Sequence, residues 1–415
     1  MTASSLINAG RFHDVVVIGD GPAGSALARA CVMQGLDVVL IGDDADWSAT
    51  YGAWLDDLDR VSILSGLDVT AGAPLDVSAW TDRRHELKRP YTILDNAALR
   101  SALRRGVQTM TSNVRSVISQ NDRHRVILDT DDEFTARLVI DATGWPAAFA
   151  SRTHGNGLPF WQTAVGVVFA EPPAGALGQP TLMDFREPPC KPATPQPKPM
   201  PATFAYSLPV PDGWLVEETV LAALPAVEPV ALLPLLAARL HIEVDEMLDR
   251  ALRTEYVRIP MGASRPQRDQ AVVAFGAAAG YVNPTSGYSV VHSMLMAPTV
   301  AVAIAKSLGA RPGTRVADSA TVWNAVWPIA QRRTRLLHDY GLEMLGELDG
   351  AAVREFFATF FDLPVQTWST YMSADSAPTD VSRVMMQLFR AARWSTRRRL
   401  LRSNPAAFIR LFRPS

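Results

Sequence analysis

The sequence predicts an α/β fold in which a parallel sheet is assembled from separated segments, interrupted by insertions and followed by a helical region. Three observations lead to this prediction. Residues 14–43 contain an apolar run, a glycine turn, an alanine-rich stretch and a second apolar run. Two later strand-like segments, 137–144 and 271–280, also end in small-residue turns, and a helix is predicted over 288–308 after the second. From Trp323 onward, one helical pattern follows another.

Composition limits the classes of protein to consider. The 415 residues, 48% hydrophobic and 20% charged, allow a large core and two or three domains. A formal net charge of −2 gives no general attraction to nucleic acid. The two cysteines, Cys31 and Cys190, form neither a disulfide framework nor a metal site, so we expect a reducing cytoplasm and no metal. Prolines interrupt the apolar window 220–240, which is predicted as a loop leading into a helix and not as a membrane span.

The first βαβ pattern predicts a dinucleotide site. Gly19, Gly21 and Gly24 follow the apolar run 15–18 and open the alanine-rich stretch at Ala23. The first glycine makes the tight turn, the second lets the backbone approach a pyrophosphate, and the third lets helix and strand pack closely. The acid expected about 20 residues on would fall near position 42, which is glycine. The next residue, Asp43, is therefore assigned to the ribose hydroxyls, with its neighbour at 44 as the alternative.

Two turns extend this pattern to a flavoprotein. Ala142-Thr143-Gly144 and the small-residue turn from Gly276 to Gly280, placed after the first fingerprint, resemble the FAD-binding fold shared by p-hydroxybenzoate hydroxylase and its relatives. The resemblance implies a Rossmann-like FAD-binding domain and adds these three glycines to the cofactor-binding residues. Position 277 is alanine where that fold usually has an aspartate on the flavin ribitol, which indicates a narrower family.

Four further stretches resemble the lycopene cyclases of bacteria and plants. They occur in order over nearly the whole chain. Tyr51-Gly-Ala-Trp-Leu-Asp-Asp-Leu is similar to the family's YGxWxDE, and Leu215-Val-Glu217-Glu218-Thr219 is similar to its FLEET motif. Ile259-Pro-Met-Gly and the later segment from Gly280 to Tyr288 are similar to IPMG and GxxHPxxGY, and residues 336–373 are similar to the family's C-terminal helical segment. The Glu-Glu-Thr motif and the segment that ends in Gly287-Tyr288 are the specific ones.

The resemblance implies a net non-redox closure of a ring. An isomerase of this family (an intramolecular lyase) protonates the end group of lycopene or a similar acyclic polyprene, and the resulting carbocation closes to a β-ring. The implied cofactor is reduced FAD, with NADPH as the reductant. The resemblance implies Glu217 and Glu218 as the catalytic pair. Adjacent strand residues point to opposite faces, so only one of them enters the pocket easily, and the resemblance implies that Glu217 is the acid. Gly287 and Tyr288 are assigned to the cofactor, and Trp54 and Asn283 to the substrate pocket.

Two departures leave the substrate open. Asn283 stands where the family usually has histidine, and the proline-rich segment 187–201 looks long. A cyclase of another terpenoid or meroterpenoid polyprene is therefore an alternative. An FAD-dependent monooxygenase or prenyl-lipid reductase on the same fold is the second, and a non-catalytic flavin- or lipid-binding protein is the third.

The expected domain order follows from these assignments. Residues 1–75, 91–150 and 265–320 form the discontinuous FAD-binding domain, 76–90 and 151–264 an inserted β-sheet domain for the substrate, and 321–415 a C-terminal helical region. Residues 383–415 contain nine arginines and no acid, interleaved with apolar side chains. Such a segment suits peripheral contact with the cytoplasmic face of an anionic membrane; packing of its apolar face on its own domain is the alternative.

Overall fold

The computed structural model describes residues 12–67, 72–120, 123–152, 159–188, 200–309, 316–394 and 397–398. The strands are β1 Phe12–Ile18, β2 Val38–Gly42, β3 Gly52–Trp54, β4 Ser78–Trp80, β5 Arg84–Glu86, β6 Tyr91–Ile93, β7 Gln108–Thr111, β8 Val114–Ser119, β9 His124–Leu128, β10 Glu133–Asp141, β11 Phe160–Phe169, β12 Thr181–Asp184, β13 Thr203–Val210, β14 Gly213–Ala223, β15 Arg253–Met261 and β16 Val272–Ala274. The helices are α1 Pro22–Met33, α2 Leu55–Ser65, α3 Asn96–Arg104, α4 Leu233–Leu240, α5 Val244–Asp249, α6 Val290–Leu308, α7 Ser319–Val326, α8 Ile329–Gly346, α9 Gly350–Phe361, α10 Val365–Met372 and α11 Pro378–Ala391.

The first sheet carries the glycine turns. Its strands run in the order β7-β2-β1-β10-β9-β8, and β16 also pairs with β10. The pairs that β1 forms with β2 and β10, and β10 with β16, are parallel. The central strands are buried and rich in valine and isoleucine, as expected for parallel strands covered on both faces. The three predicted turns therefore follow the carboxyl ends of neighbouring strands.

Helix α6 covers this sheet together with α1. Among the described residues it is the one helix long and apolar enough, by length and composition, to cross a membrane. It packs here against α1, α2 and α7, and its residues Val300, Ala301 and Ile304 are fully buried. Its role in this structure is that of a core helix.

The second sheet lies in the inserted part of the chain. Its order is β15-β11-β14-β13-β12-β4-β5, and the four strands at its β15 end pair antiparallel. One face packs on α4 through an apolar cluster that includes Val216 and Leu236. The opposite face turns toward a cavity and the C-terminal helices. A two-stranded ribbon of β3 and β6 lies beside it.

The C-terminal helices pack on the second sheet. Val381, Val384 and Leu388 of α11 are buried in a cluster with the phenylalanines of α9. The apolar face of α11 thus packs on its own chain. For this part of the basic segment, the alternative to membrane contact is the arrangement found. Residues 395–396 and 399–415 of that segment, and 189–199 of the proline-rich one, lie outside the described residues, so membrane contact stays a prediction.

Candidate active site

A cavity of about 790 Å³ lies between the second sheet, the turns of the first sheet and α9. This volume falls within the range of roughly 300–1,000 Å³ typical of small-molecule sites. Most of its lining is apolar or aromatic. Four phenylalanines of α9 contribute to it: Phe356, Phe357, Phe360 and Phe361. The cavity therefore suits a hydrophobic ligand with few polar groups.

Glu217 places a carboxyl group in this cavity. Strand alternation along β14 turns Leu215, Glu217, Thr219 and Leu221 toward it. Burial among these groups raises the pKa of Glu217 to about 7, and the nearby charge of Glu255 adds to the rise, while the hydrogen bond from Thr219 opposes it. The Thr219 hydroxyl donates to Oε1 of Glu217 at 2.6 Å. This carboxyl can therefore carry a proton near neutral pH.

Glu218 lies on the other face of the same strand. Its side chain is fully buried and forms an ion pair with Arg239 of α4, whose Nη2 lies 3.2 Å from Oε1 of Glu218. Arg239 also donates to the carbonyl of Arg186 at 2.7 Å. Glu218 does not line the cavity. Of the two glutamates assigned to the catalytic pair, only Glu217 faces the cavity, and the contacts of Glu218 are structural.

A second cavity carboxylate, Glu255 on β15, was missed by sequence reasoning. Glu217 and Glu255 are both paired with Gly166 of β11, one from each side, so the three residues share one face of the sheet. The Thr50 hydroxyl donates to Oε1 of Glu255 at 2.6 Å, and Arg253 forms an ion pair with the same oxygen. The one signal in the sequence is that this acid stands next to Tyr256, just before the Ile-Pro-Met-Gly motif.

Three tyrosines form a hydrogen-bonded group beside Glu217. The hydroxyls of Tyr91 and Tyr288 are 2.6 Å apart, and Tyr206 is paired with Glu217 across β13 and β14. Burial raises the pKa of all three well above the usual value, so their hydroxyls stay neutral. Tyr288 was assigned from the sequence to the cofactor; the structure places it in the cavity wall. Tyr91 and Tyr206 were missed.

The two residues assigned to the substrate pocket have different positions. Trp54 lines the cavity. The centroids of its ring and the Tyr91 ring are 5.0 Å apart, and the guanidinium of Arg89 lies over the Trp54 ring. Asn283 does not line it: its amide nitrogen donates to the carbonyl of Met372 at 2.6 Å, and its oxygen accepts from the backbone of Thr285. Through these contacts Asn283 attaches α10 to the turn, and its side chain does not line the cavity.

The βαβ turn fits a dinucleotide. A Cβ on Gly24 would lie 1.9 Å from the carbonyl oxygen of Gly19, so only glycine allows this approach of helix and strand. Around Gly21, in contrast, there is nothing within 4 Å of a Cβ, and no side chain caps α1. The start of α1 thus has open space beside Gly21 and no capping side chain, which suits a helix N-terminus that binds a pyrophosphate.

The turns after β10 and β16 connect the glycine turn of residues 19–24, called the dinucleotide cradle below, to the cavity. A Cβ on Gly276 would lie 2.4 Å from the methyl group of Ala23, which brings the turn after β16 onto the start of α1. Ala277 and Gly287 line the cavity, whereas Gly144 and Gly280 do not; all three glycines have positive φ. Asp43 is exposed just beyond β2, and its carboxylate accepts from the backbone of Ala45. The residues present fit a dinucleotide whose ring end reaches the cavity.

Similarity to other sequences covers nearly the whole chain. The profile of the family described as lycopene cyclase protein matches residues 14–398. A lycopene beta cyclase of Synechococcus elongatus is 32% identical over 91% of this chain and 93% of its own. An uncharacterized carotenoid cyclase of Deinococcus radiodurans is 35% identical over 91% and 90%, and the chloroplastic lycopene beta cyclase of Arabidopsis thaliana is 31% identical over 87% and 74%.

Solved structures share the fold at low sequence identity. A geranylgeranyl bacteriochlorophyll reductase-like protein of Thermoplasma acidophilum has a TM-score of 0.63 at 13% identity and covers 97% of this chain and 98% of its own. The flavin-dependent brominase Bmp2 has a TM-score of 0.54 at 14% identity, with 91% and 93% covered. The predicted α/β flavoprotein fold is thereby confirmed. With the family match over residues 14–398, the chain belongs to the lycopene cyclase family.

Proposed function

We propose that this protein is a flavin-dependent, non-redox cyclase that closes the end group of lycopene, or of a related acyclic polyprene, to a β-ring. The observation that carries the proposal is the placement of the Glu217 carboxyl group in an apolar aromatic cavity beside the dinucleotide cradle, where burial raises its pKa to about 7. Membership of the lycopene cyclase family supports the same substrate class.

Glu217 would start the reaction as the proton donor. An alkene is a very weak base, so its protonation needs an acid that is desolvated and fixed in position. Because the Thr219 hydroxyl donates to Oε1, that oxygen is held as an acceptor and Oε2 is left to carry the proton. Proton transfer to the terminal double bond leaves a tertiary carbocation, which an internal double bond attacks to close the ring.

The cavity wall would stabilise the cation and exclude water. The rings of Trp54 and Tyr288 offer π faces, and a cation–π contact in a dry site contributes about 2 kcal/mol. The α9 phenylalanines extend this apolar wall, which protects the cation from capture by water. Gly19, Gly21 and Gly24 at the start of α1 would hold FAD, which in its reduced form, with NADPH as reductant, would supply negative charge near the cation without net electron transfer.

The substrate also bears on where the enzyme works. Polyprenes of this class dissolve in lipid, so we propose action at the cytoplasmic face of a membrane, with the basic C-terminal segment as the contact. The end of the described part of that segment supports this, because the side chains of Arg393 and Trp394 are largely exposed.

Expression in cells that accumulate lycopene, followed by chromatography of the pigments with mass detection, tests the proposal. We expect a product of unchanged mass that absorbs at shorter wavelength and whose retention identifies a β-ring. Unchanged lycopene beside flavin-loaded protein would redirect the proposal to another polyprene. A product with added oxygen or hydrogen, formed with consumption of NADPH, would contradict it in favour of a monooxygenase or reductase.

A further inference from the structure

We propose that Glu255 is the base that accepts the proton leaving the newly closed ring. This inference rests on the proposed function and adds to it the second half of the proton transfer. Glu217 and Glu255 are the two carboxylates that line the described cavity, and they approach it from β14 and β15, on either side of β11.

A glycine stands between the two glutamates on the strand that separates them. Gly166 is the residue of β11 that is paired with both of them. Neighbouring strands lie about 4.8 Å apart, so the backbones of Glu217 and Glu255 are roughly 10 Å apart. A Cβ on Gly166 would lie 3.5 Å from Oε2 of Glu217 and 2.8 Å from a methyl group of Leu215. The side chains of Leu215 and Glu217 thus lie over the strand at Gly166, and an end group in the cavity would meet the acid on the β14 side and the second carboxylate on the β15 side.

The contacts of Glu255 suit a proton acceptor. Its Oε1 accepts from the Thr50 hydroxyl and pairs with Arg253, whose guanidinium also contacts Asp212. The backbone N–H of Thr50 lies 3.4 Å from Oε2, a longer and weaker contact. One oxygen is thus fixed by two donors and the other is left available. The partners of Glu255 are a hydroxyl and a guanidinium. Glu217 has no cation beside it, and its burial in the apolar wall favours the protonated form against the opposing hydrogen bond from Thr219.

The proton balance of the reaction then closes within the cavity. Glu217 gives its proton to the terminal alkene carbon and becomes a carboxylate. After ring closure, a C–H bond next to the cationic ring carbon breaks; its electron pair forms the ring double bond and its proton passes to Glu255. The site is reset when Glu255 loses this proton and Glu217 regains one, so that no proton, electron or atom is consumed overall.

The position of the base decides which ring forms. A tertiary ring cation has several neighbouring C–H bonds, and loss of a proton from each gives a different double-bond isomer. A carboxylate fixed by Thr50 and Arg253 selects one of them. Removal of the carboxylate should therefore alter the identity of the ring, which an effect on folding or binding alone would not do.

The test compares the wild-type protein, Glu255→Gln and Glu255→Asp with purified, flavin-loaded enzyme and lycopene, with the ring isomers separated by chromatography. The control is Glu246→Gln, which alters an exposed ion pair with Arg250 outside the cavity. We expect Glu255→Gln to lower kcat about 100-fold, as loss of a general base does, and to raise the share of other ring isomers. Glu255→Asp should retain the wild-type ring at a lower rate.

The wild-type result separates the two proposals. No cyclic product from lycopene with the wild-type enzyme would exclude lycopene as the substrate and overturn this inference with it. If the wild type cyclises lycopene, an unchanged rate, or a lower rate with an unchanged isomer ratio, in Glu255→Gln would overturn the role of Glu255 alone. If that variant does not fold, Glu255→Asp decides: we expect a lower kcat with KM retained, and wild-type kinetics would overturn the inference.

Discussion

At the scale of single residues, the environment of each carboxyl group sets its chemistry. Glu217, Glu218 and Glu255 are the same residue type within one sheet, yet they differ in their partners. Glu217 has a hydroxyl donor and apolar neighbours, Glu218 has Arg239, and Glu255 has Thr50 and Arg253. A proton donor for an alkene must be the one without a cation beside it, because a paired cation stabilises the carboxylate form.

The raised pKa of Glu217 predicts how activity depends on pH. The protonated form is favoured in the folded protein, so it is complete below the ordinary value of 4.5 and is lost as pH rises through about 7. We therefore expect kcat for ring closure to fall as pH rises above 7. A pH–rate profile with purified enzyme measures this, and a rate that rises through pH 7 would contradict the role of Glu217 as the acid.

Removal of the acid should abolish the reaction and leave the fold intact. Glu217→Gln keeps the shape of the side chain and the hydrogen bond from Thr219, but has no proton to donate to an alkene. We expect kcat to fall by at least about 100-fold, the usual contribution of a general acid, with normal FAD content. Product analysis and the flavin absorbance of the purified variant measure both, and an active Glu217→Gln protein would disprove the assignment.

At the scale of single elements, strand alternation along β14 places the proposed acid, Glu217, and the ion-paired Glu218 on opposite faces. Glu218→Gln is the matched partner of the previous variant, one residue along the chain and on the opposite face. It leaves the buried guanidinium of Arg239 without its counter-charge, and loss of one partner of a buried pair costs about 3–5 kcal/mol. Urea unfolding should show this loss for Glu218→Gln and not for Glu217→Gln. Equal stabilities would show that the pair contributes little.

The βαβ unit makes a different prediction, about the cofactor. Gly21 is extended, with φ −65° and ψ −178°, and a side chain there would meet nothing in the protein. Gly21→Val should therefore fold normally but fill the space of the pyrophosphate, so that added FAD no longer raises Tm. Gly350→Ala, another substitution with free space at a helix start, is the control and should keep the FAD-dependent shift. An undiminished shift in Gly21→Val would contradict the placement of the phosphates.

Local patterns were the ones that the sequence alone could predict. The glycines of the first turn act within one βαβ unit, and the alternation that separates Glu217 from Glu218 is a property of any strand. The helix predicted over 288–308 begins at Val290. Tyr288 belongs to the preceding turn, where its carbonyl accepts a hydrogen bond from the backbone N–H of Asn283. Glu255 escaped notice because only the register of β11 brings it beside Glu217. Pairing between distant strands has no signature within either segment.

At the scale of the whole molecule, the C-terminal helices close the cavity that the two sheets leave open. The α9 phenylalanines form one wall, while the opposite wall is the face of the second sheet that carries Glu217. Sequence reasoning placed the helices but not this contact, and it assigned Asn283 to the substrate. The structure uses Asn283 to join the turn after β16 to the end of α10, which links the dinucleotide side of the molecule to the helical wall. The division into folding domains stays a prediction.

This link predicts a loss of stability without a change of ring. Asn283 is buried, and Asn283→Ala leaves the carbonyl of Met372 without its main donor, which costs about 1–3 kcal/mol for a buried group. Asn283→Asp tests the donor apart from the acceptor. Its carboxylate can still accept a hydrogen bond from Thr285 but faces the carbonyl of Met372, so we expect a loss of stability at least as large. Urea unfolding measures both variants, and the isomer ratio of the product should match the wild type because the side chain does not reach the cavity. A changed ring with unchanged stability would return Asn283 to the substrate pocket.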